Sequence, residues 1–356
     1  MGSAGGKCNP ARRQLRRYNR GMNRMIVDNP SNARASIRDE AVSAGALPWE
    51  WFDFQEPPQP LTGGMAAVAP VEAGGQAKSY RIVLDGRVVP FKVIRKQAEV
   101  ARPALLLVHG MGLTIASFHG VAHHLLATHD LILPDYSSFS LGNLATDENP
   151  AAKLYAHSLW RIIDLLGIDK ICAGGNSLGG GLCLLAALLE PGRIARMVLS
   201  NPACFPQVLP KMYRLARTPL LGEALMTITR AEKLIGGVEH IGYVDKGRFV
   251  PELRERYVGT MRHARNRYRL MRIMRHLPAD ARDQSMALHV PRLGEITQPV
   301  LISWGLEDPL LVEGSGERLA RALPHATYEV YPHLAHMPHE EAPELVGPRW
   351  AAFLNE

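Results

Sequence analysis

Residues 170–181 read Lys-Ile-Cys-Ala-Gly-Gly-Asn-Ser-Leu-Gly-Gly-Gly, and this stretch decides the fold. Its apolar beginning predicts a buried strand at 170–173, and an apolar helical pattern follows at Leu178–Leu189. Between the two, Ser177 stands in the pattern Gly-x-Ser-x-Gly. Glycines in these positions permit a sharp strand-to-helix turn that exposes the serine hydroxyl above a sheet, at the amino end of a helix. The stretch therefore predicts that Ser177 is a nucleophile.

Strand and helix patterns alternate on both sides of this turn. The other apolar runs are short and continuous, as expected for strands buried on both faces of a sheet. A helical pattern at 153–166 lies between two of them. This alternation predicts an α/β protein with a mostly parallel sheet, right-handed crossovers and flanking helices. The predicted strands are 104–108, 131–134, 197–200, 300–304 and 327–331, preceded by a hairpin of 81–84 and 88–94 around Asp85-Gly86.

The alternation stops between residues 203 and 295, where only helical periodicity is found. We therefore predict three parts: a basic N-terminal extension and linker at 1–79, a core at 80–202 and 296–356, and an inserted helical lid at 203–295. The extension contains aromatic residues between Trp49 and Phe54, and these are expected to dock onto the core.

Composition and charge exclude several classes of protein. The 356 residues are 46% hydrophobic and 21% charged, and the 4 cysteines form no Cys-x-x-Cys pair, so neither a disulfide framework nor a zinc ribbon is expected. No apolar run is long enough to predict stable membrane insertion.

The formal net charge of +7 resides in residues 1–38, so the nearly neutral body is not expected to bind nucleic acid. A cytoplasmic location is expected, and the Arg-rich start, which is also typical of organellar transit segments, keeps that alternative open.

A second glycine-containing motif follows the strand at 104–108. It reads His109-Gly110-Met111-Gly112, at the edge of the sheet where parallel sheets place their active crevice. Acyl transfer builds negative charge on a carbonyl oxygen, which paired backbone N–H groups stabilise. The N–H groups of Met111 and Leu178 are the predicted oxyanion hole, and His109 is expected to shape its loop.

Two titratable residues follow the last two predicted strands. Asp308 comes after 300–304, and His336 comes after 327–331. A serine hydroxyl needs a base to accept its proton, and the base needs an acid to hold its tautomer. Asp308 is favoured over its neighbour Glu307 by its spacing from the preceding glycine. The chain order of Ser177, Asp308 and His336 thus supplies a nucleophile, an acid and a base.

These motifs, in this order, resemble the α/β-hydrolase superfamily over residues 80–356. The resemblance implies the α/β-hydrolase fold, with Ser177 as nucleophile, Asp308 as orienting acid and His336 as general base. It implies no cofactor. One departure is Ala335, which stands where the family often has glycine before its histidine.

Neither a metal nor a nucleotide cofactor is expected. His333 and His339 flank His336 at three-residue spacing, but no carboxylate or cysteine is spaced to complete a metal shell. The glycine run at 174–181 lacks the Gly-x-Gly-x-x-Gly spacing of dinucleotide-binding turns.

The sequence indicates the residues that contact the substrate less specifically than it indicates the catalytic residues. Asn176 and Met337 are predicted to contact the substrate because they adjoin the nucleophile and the base. The sequence Gly-Asn-Ser-Leu-Gly-Gly resembles the turn of carbon–carbon bond hydrolases that act on meta-cleavage products, although those usually carry Trp where Met337 stands. Eight arginines at 254–275 predict an amphipathic lid helix with a solvated basic face, and the alternative that one or two point inward to hold a carboxylate stays open.

Together these features predict a serine hydrolase that needs no cofactor and cleaves a small-to-medium hydrophobic ester or thioester through an acyl-enzyme on Ser177. Its partner is then a small hydrophobic acyl substrate. Two alternatives stay open. One keeps the same three residues but cleaves a carbon–carbon bond or transfers the acyl group to another acceptor, and the other is a non-catalytic ligand-binding scaffold.

Overall fold

A ten-stranded, mostly parallel sheet crosses the described part of the molecule. The computed structural model describes residues 24–26, 47–54, 59–60, 75–84, 87–96, 101–137, 150–205, 214–216, 218–276 and 292–356. The strand order is β1-β10-β9-β8-β7-β5-β6-β4-β3-β2, and only the pairs β3–β4 and β4–β6 are antiparallel. The strands are β1 Arg24–Ile26, β2 Gln59–Pro60, β3 Gln76–Leu84, β4 Arg87–Arg95, β5 Ala104–Val108, β6 Asp130–Pro134, β7 Ile171–Asn176, β8 Ile194–Ser200, β9 Val300–Gly305 and β10 Ala326–Tyr331.

Helices cover both faces of the sheet, as predicted. The ten α-helices of the described residues are α1 His119–Leu125, α2 Pro150–Leu165, α3 Leu178–Leu189, α4 Leu221–Ile228, α5 Ala231–Gly242, α6 Pro251–Arg262, α7 Ala264–His276, α8 Ser315–Ala322, α9 Pro338–Glu341 and α10 Pro343–Leu354.

Every residue of β5 is buried, and alternate side chains enter different hydrophobic clusters. Leu106 packs with α2, α3 and α8 on one face, while Leu105 and Leu107 pack with α1 and α10 on the other. Successive side chains of a strand point to opposite faces, so a strand between two helix layers must be apolar throughout. This explains why the predicted strands are continuous apolar runs rather than alternating ones.

The segment between β8 and β9 is helical in its described residues, where α4, α5, α6 and α7 lie and no strand occurs. Its parts are anchored differently. Ile235 of α5 and Tyr257 of α6 belong to one of the two large hydrophobic clusters. In contrast, Met271 and Met274 of α7 form a small separate cluster with Ala216.

Parts of residues 1–79 contribute to the fold. β1 pairs with β10 at one edge of the sheet, and β2 pairs with β3 at the other. A 3-10 helix at Trp49–Phe52 packs on the core: Phe52 is buried, and the Trp49 ring stacks on the ring of His119, with 3.4 Å between centroids. Arg256 of α6 donates to both carboxylate oxygens of Asp53, over 3.0 and 2.8 Å. The aromatic segment therefore bridges the core and the helical insertion.

The predicted Asp85-Gly86 turn and most of residues 1–74 lie outside the described residues. In the part of the chain that is described, no helix is long and apolar enough to cross a membrane.

Candidate active site

Ser177 occupies a strained turn between β7 and α3. Its φ and ψ angles are 53° and −121°, a conformation that residues with a side chain rarely adopt. The Ser177 N–H donates to the carbonyl of Ser200 at the end of β8, over 3.1 Å, and Leu178 begins the helix. The turn thus holds the serine beside the first, unpaired N–H groups of α3.

The two glycines of the motif are required by close backbone contacts. A Cβ atom on Gly179 would lie 2.0 Å from the carbonyl oxygen of Val108 in β5, and one on Gly175 would lie 2.6 Å from the carbonyl carbon of Gly179. Because these atoms belong to the backbone, no side-chain movement could relieve the overlap. The turn therefore packs directly against the end of β5.

Asp308 and His336 come together as a hydrogen-bonded pair. The Nδ1 atom of His336 donates to Oδ2 of Asp308 over 2.7 Å. The other carboxylate oxygen accepts the backbone N–H groups of Leu310 and Leu311, over 2.8 and 3.1 Å. Burial would raise the pKa of Asp308, but His336 and these backbone donors outweigh it and hold the pKa below its usual value. The ionised acid holds Nδ1 protonated, which leaves Nε2 as an acceptor.

Asn201 is a site residue that the sequence analysis did not single out. Its Nδ2 donates to Oδ2 of Asp308 over 2.7 Å, and its Oδ1 accepts the N–H of Gly305 over 2.8 Å. Asn201 directly follows β8 and has a φ of 39°, which asparagine tolerates better than most residues. The sequence offers one indication of this role. Asn201 is a polar residue at the carboxyl end of β8, and β8 lies next to β9, the strand that precedes Asp308.

Asn176 connects the turn at Ser177 to the loop after β10 that carries His336, called the histidine loop below. It is fully buried, and its Nδ2 donates to the carbonyls of Ser200 and His336, each over 3.0 Å. The backbone of His336 is thereby held beside the residue that precedes Ser177. Among the described residues, no hydrogen bond joins the side chains of Ser177 and His336.

The predicted oxyanion residues line a cleft next to Ser177. A Cβ atom on Gly110 would lie 3.3 Å from Cβ of Ser177, so the loop after β5 packs against Ser177. The cleft is narrow, with a cavity volume of about 20 Å³. It is lined by residues 109–112 together with Tyr136, Tyr155, Leu178, Leu182 and Ile273. Met111 and Leu178 are both in this lining.

His109 has a structural position, as predicted. Its Nδ1 hydrogen bonds to the carbonyl of Gly110 over 2.8 Å, and its Nε2 accepts the N–H of Tyr136 over 3.0 Å. Both ring nitrogens are thus occupied in shaping the loop.

Asn176 and Met337, the two residues predicted to contact substrate, are not among the residues that line this cleft. Asn176 is occupied by the backbone bonds described above. Met337 is buried, and its N–H donates to the carbonyl of Gly242 at the end of α5, over 3.2 Å. The Met337 side chain packs tightly on Gly242, since a Cβ atom on Gly242 would lie 1.8 Å from Cε of Met337. Met337 therefore fastens the histidine loop to the helical insertion.

A buried polar network lies behind the histidine loop. Glu340 accepts hydrogen bonds from the hydroxyls of Tyr243 and Tyr257, over 2.6 and 2.8 Å, and from that of Ser117. Burial raises the pKa of Glu340, and the three hydroxyl donors partly offset this effect. Since both tyrosines belong to the insertion, this carboxyl group ties the insertion to the loop.

His339 lies in the same network. Its ring nitrogens bond to Ser117 and Ser200, over 3.0 and 3.1 Å. Burial, with a smaller effect of His336, lowers the pKa of His339 to about 3, so its imidazole is neutral. In the described part of the chain, no three side chains are grouped to hold a metal ion.

A serine turn after β7, a carboxylate after β9 and a histidine after β10 form an arrangement that is typical of hydrolases with an α/β sheet. The model of the alpha/beta hydrolase fold family matches residues 103–343, and the chain belongs to that family.

The chain is also similar to individual proteins. It is 26% identical to 2-hydroxy-6-oxo-6-phenylhexa-2,4-dienoate hydrolase of Burkholderia cepacia, over 65% of this chain and 81% of that protein. It is 24% identical to 2-hydroxy-6-oxononadienedioate/2-hydroxy-6-oxononatrienedioate hydrolase of Comamonas testosteroni, with the same coverage.

A solved structure of a haloalkane dehalogenase variant from Bradyrhizobium elkanii shares the fold. Its TM-score is 0.64 at 17% identity, covering 78% of this chain and 97% of that one.

Proposed function

We propose that this protein is a serine hydrolase that cleaves a hydrophobic ester or thioester through an acyl-enzyme on Ser177. The observation that carries this proposal is the 2.7 Å bond between Asp308 and His336, held beside the nucleophile turn by Asn176. An oriented histidine next to a serine hydroxyl is the arrangement that activates that hydroxyl group.

In the proposed reaction, Nε2 of His336 accepts the proton of Ser177 while Oγ attacks the substrate carbonyl carbon. The N–H groups of Met111 and Leu178 stabilise the negative oxygen of the tetrahedral intermediate. His336 then donates its proton to the leaving group, and the carbon–leaving-group bond breaks. Water repeats the sequence on the acyl-enzyme, so that a carboxylic acid is released and Ser177 regains its proton.

The cleft lining supports a hydrophobic acyl group. Tyr136 and Tyr155 meet edge to face, with 4.7 Å between their ring centroids, and Leu182 and Ile273 complete an apolar wall. Such walls bind aliphatic or aromatic groups and offer few partners to a sugar.

Hydrolysis of a carbon–carbon bond is a second candidate. It is favoured by the similarity to the two dienoate and dienedioate hydrolases, and it would use the same three residues. Comparing p-nitrophenyl esters of different chain length with a 2-hydroxy-6-oxodienoate distinguishes the two candidates by the ratio of their kcat/KM values.

A fluorophosphonate probe tests the activated serine itself. We expect an adduct on Ser177, located by mass spectrometry, that is absent in Ser177→Ala and forms more slowly in His336→Gln. If folded wild-type protein is not labelled, Ser177 is not activated, and the scaffold hypothesis replaces this proposal.

A further inference from the structure

The outer surface of the helices α4 and α7 is unusually apolar. Leu220 and Ile228 are 84% and 75% exposed, and Leu215, Leu221 and Tyr268 are also exposed. Among the described residues, five of the nine exposed large hydrophobic side chains lie on these helices or just before α4. Clusters of this kind mark contact surfaces, whereas scattered exposed residues do not.

Leu220 adds a second observation. It precedes α4 with a φ of 64°, where glycine or asparagine is the usual residue. A leucine is thus held in a strained conformation and points into solvent. A strained backbone conformation lowers the stability of the fold. A residue that is strained without stabilising the fold is therefore characteristic of a functional position.

The charge of this surface is strongly positive. The thirteen residues of α7 contain five arginines and no acidic residue. Glu223 is the acidic residue of α4, and it already pairs with Arg275 over 2.7 Å. Arg265 is exposed, and Arg272 lies over the ring of Tyr268. Arginine is therefore interleaved with the exposed apolar side chains.

The inner side of α7 covers the cleft. Ile273 lines the cleft, and Leu270 lies 3.4 Å from the position of a Cβ on Gly112 in the oxyanion loop. Met111 packs against the small cluster of Met271 and Met274. A partner bound to the outer surface would thus be separated from the proposed oxyanion hole by the thickness of one helix.

We propose that the outer surface of α4 and α7 docks onto an anionic lipid bilayer. Exposed leucine and isoleucine insert among the acyl chains, while the arginines contact the anionic headgroups. Aliphatic side chains this exposed favour a lipid surface over a nucleic acid, which would require mainly charge and stacking. Docking is peripheral, and it places the cleft where hydrophobic acyl substrates dissolve.

Co-sedimentation of full-length Ser177→Ala protein with vesicles tests this proposal without depending on hydrolysis. Vesicles of phosphatidylcholine are compared with vesicles that also contain phosphatidylglycerol. We expect binding to the anionic vesicles to be roughly tenfold tighter and to weaken with added salt.

A variant with Leu220→Asn and Ile228→Gln should bind the anionic vesicles roughly tenfold more weakly, since it removes the inserted groups. The matched control is Val83→Thr with Val88→Thr, which changes two exposed apolar residues on the β3–β4 hairpin and should bind like the wild type. Arg265→Gln with Arg272→Gln should lose only the preference for anionic lipid. Far-UV circular dichroism checks that each variant is folded.

Three results would overturn the proposal. One is no sedimentation with either vesicle. Another is binding that the Leu220 and Ile228 changes leave intact, which would assign it to the basic residues 1–38. The third is a dimer in analytical ultracentrifugation that these changes dissolve, which would make the surface an interface between two copies.

Discussion

At the scale of single residues, the candidate site depends on how Asp308 is held. One of its oxygens is shared by His336 and Asn201, each over 2.7 Å. An acid that must orient a histidine works only if its own carboxylate cannot rotate. Asn201 and the N–H groups of Leu310 and Leu311 prevent that rotation.

Changing Asn201 to Ala should therefore weaken the site. We expect Ser177 to react with the fluorophosphonate probe about tenfold more slowly, and the free energy of unfolding to fall by about 1–3 kcal/mol because buried partners lose a hydrogen bond. Labelling reactions stopped at successive times give the rate of reaction with the probe, and urea unfolding gives the free energy of unfolding. Asn355→Ala, at an exposed position, is the control, and equal labelling rates in both variants would show that Asp308 needs no support from Asn201.

At the scale of elements, the turn from β7 into α3 can form because glycine has no Cβ atom and therefore allows two backbone segments to come into contact. The backbone of Gly175 contacts that of Gly179, and Gly179 also contacts the last residue of β5. The local pattern predicts this turn correctly, because a strand, a serine between glycines and a helix are all readable within twenty residues. The partner of the turn, Val108, is distant in the chain and is brought there by pairing of β5 with β7.

Gly179→Ala should be severely destabilising. The added methyl group would overlap the Val108 carbonyl, so we expect a loss of more than about 3 kcal/mol in the free energy of unfolding, or insoluble protein. Gly236→Ala in α5 is the matched control: nothing lies within 4 Å of its new Cβ, and alanine favours a helix by up to about 1 kcal/mol. Similar stability of the two variants would contradict the close contact at the turn.

At the scale of the whole molecule, several histidines are buried as neutral groups. Burial lowers the pKa of His119, His124 and His129 to about 4 each, and that of His339 to about 3. The usual histidine value is near 6.5, so below that pH the unfolded chain binds protons that the folded chain does not. Stability is therefore lost as pH falls from about 6.5 towards 4.

His339→Gln should reduce this acid sensitivity. The fully buried His339 contributes up to about 1.4 kcal/mol of lost stability per pH unit in that range, so the variant's free energy of unfolding should fall less steeply. Urea unfolding between pH 7 and pH 4 measures the slope. The exposed His325→Gln is the control, and an unchanged slope in His339→Gln would mean that His339 already takes up a proton in the folded state.

The sequence by itself determined the class of fold and the positions of Ser177, Asp308 and His336 along the chain. The positions of the strands along the chain follow from apolar runs that are local, and the predicted strand at Ala104–Val108 and helix at Leu178–Leu189 match the structure to the residue. The predicted strands at 170–173 and 197–200 are each three residues too short at one end, because Asn176 and Ile194 are part of ladders that only neighbouring strands create.

Tertiary structure alone decided the rest. Asn201, which follows β8, donates to Asp308, which follows the neighbouring strand β9. Glu340 accepts hydrogen bonds from the hydroxyls of Ser117, Tyr243 and Tyr257, all more than eighty residues away along the chain. Asn176 and Met337, which were predicted to contact substrate, have hydrogen bonds that hold the histidine loop in place. A side chain's partners depend on which distant segments pack around it, and burial makes an unpaired polar group so costly that the fold, not the local sequence, selects those partners.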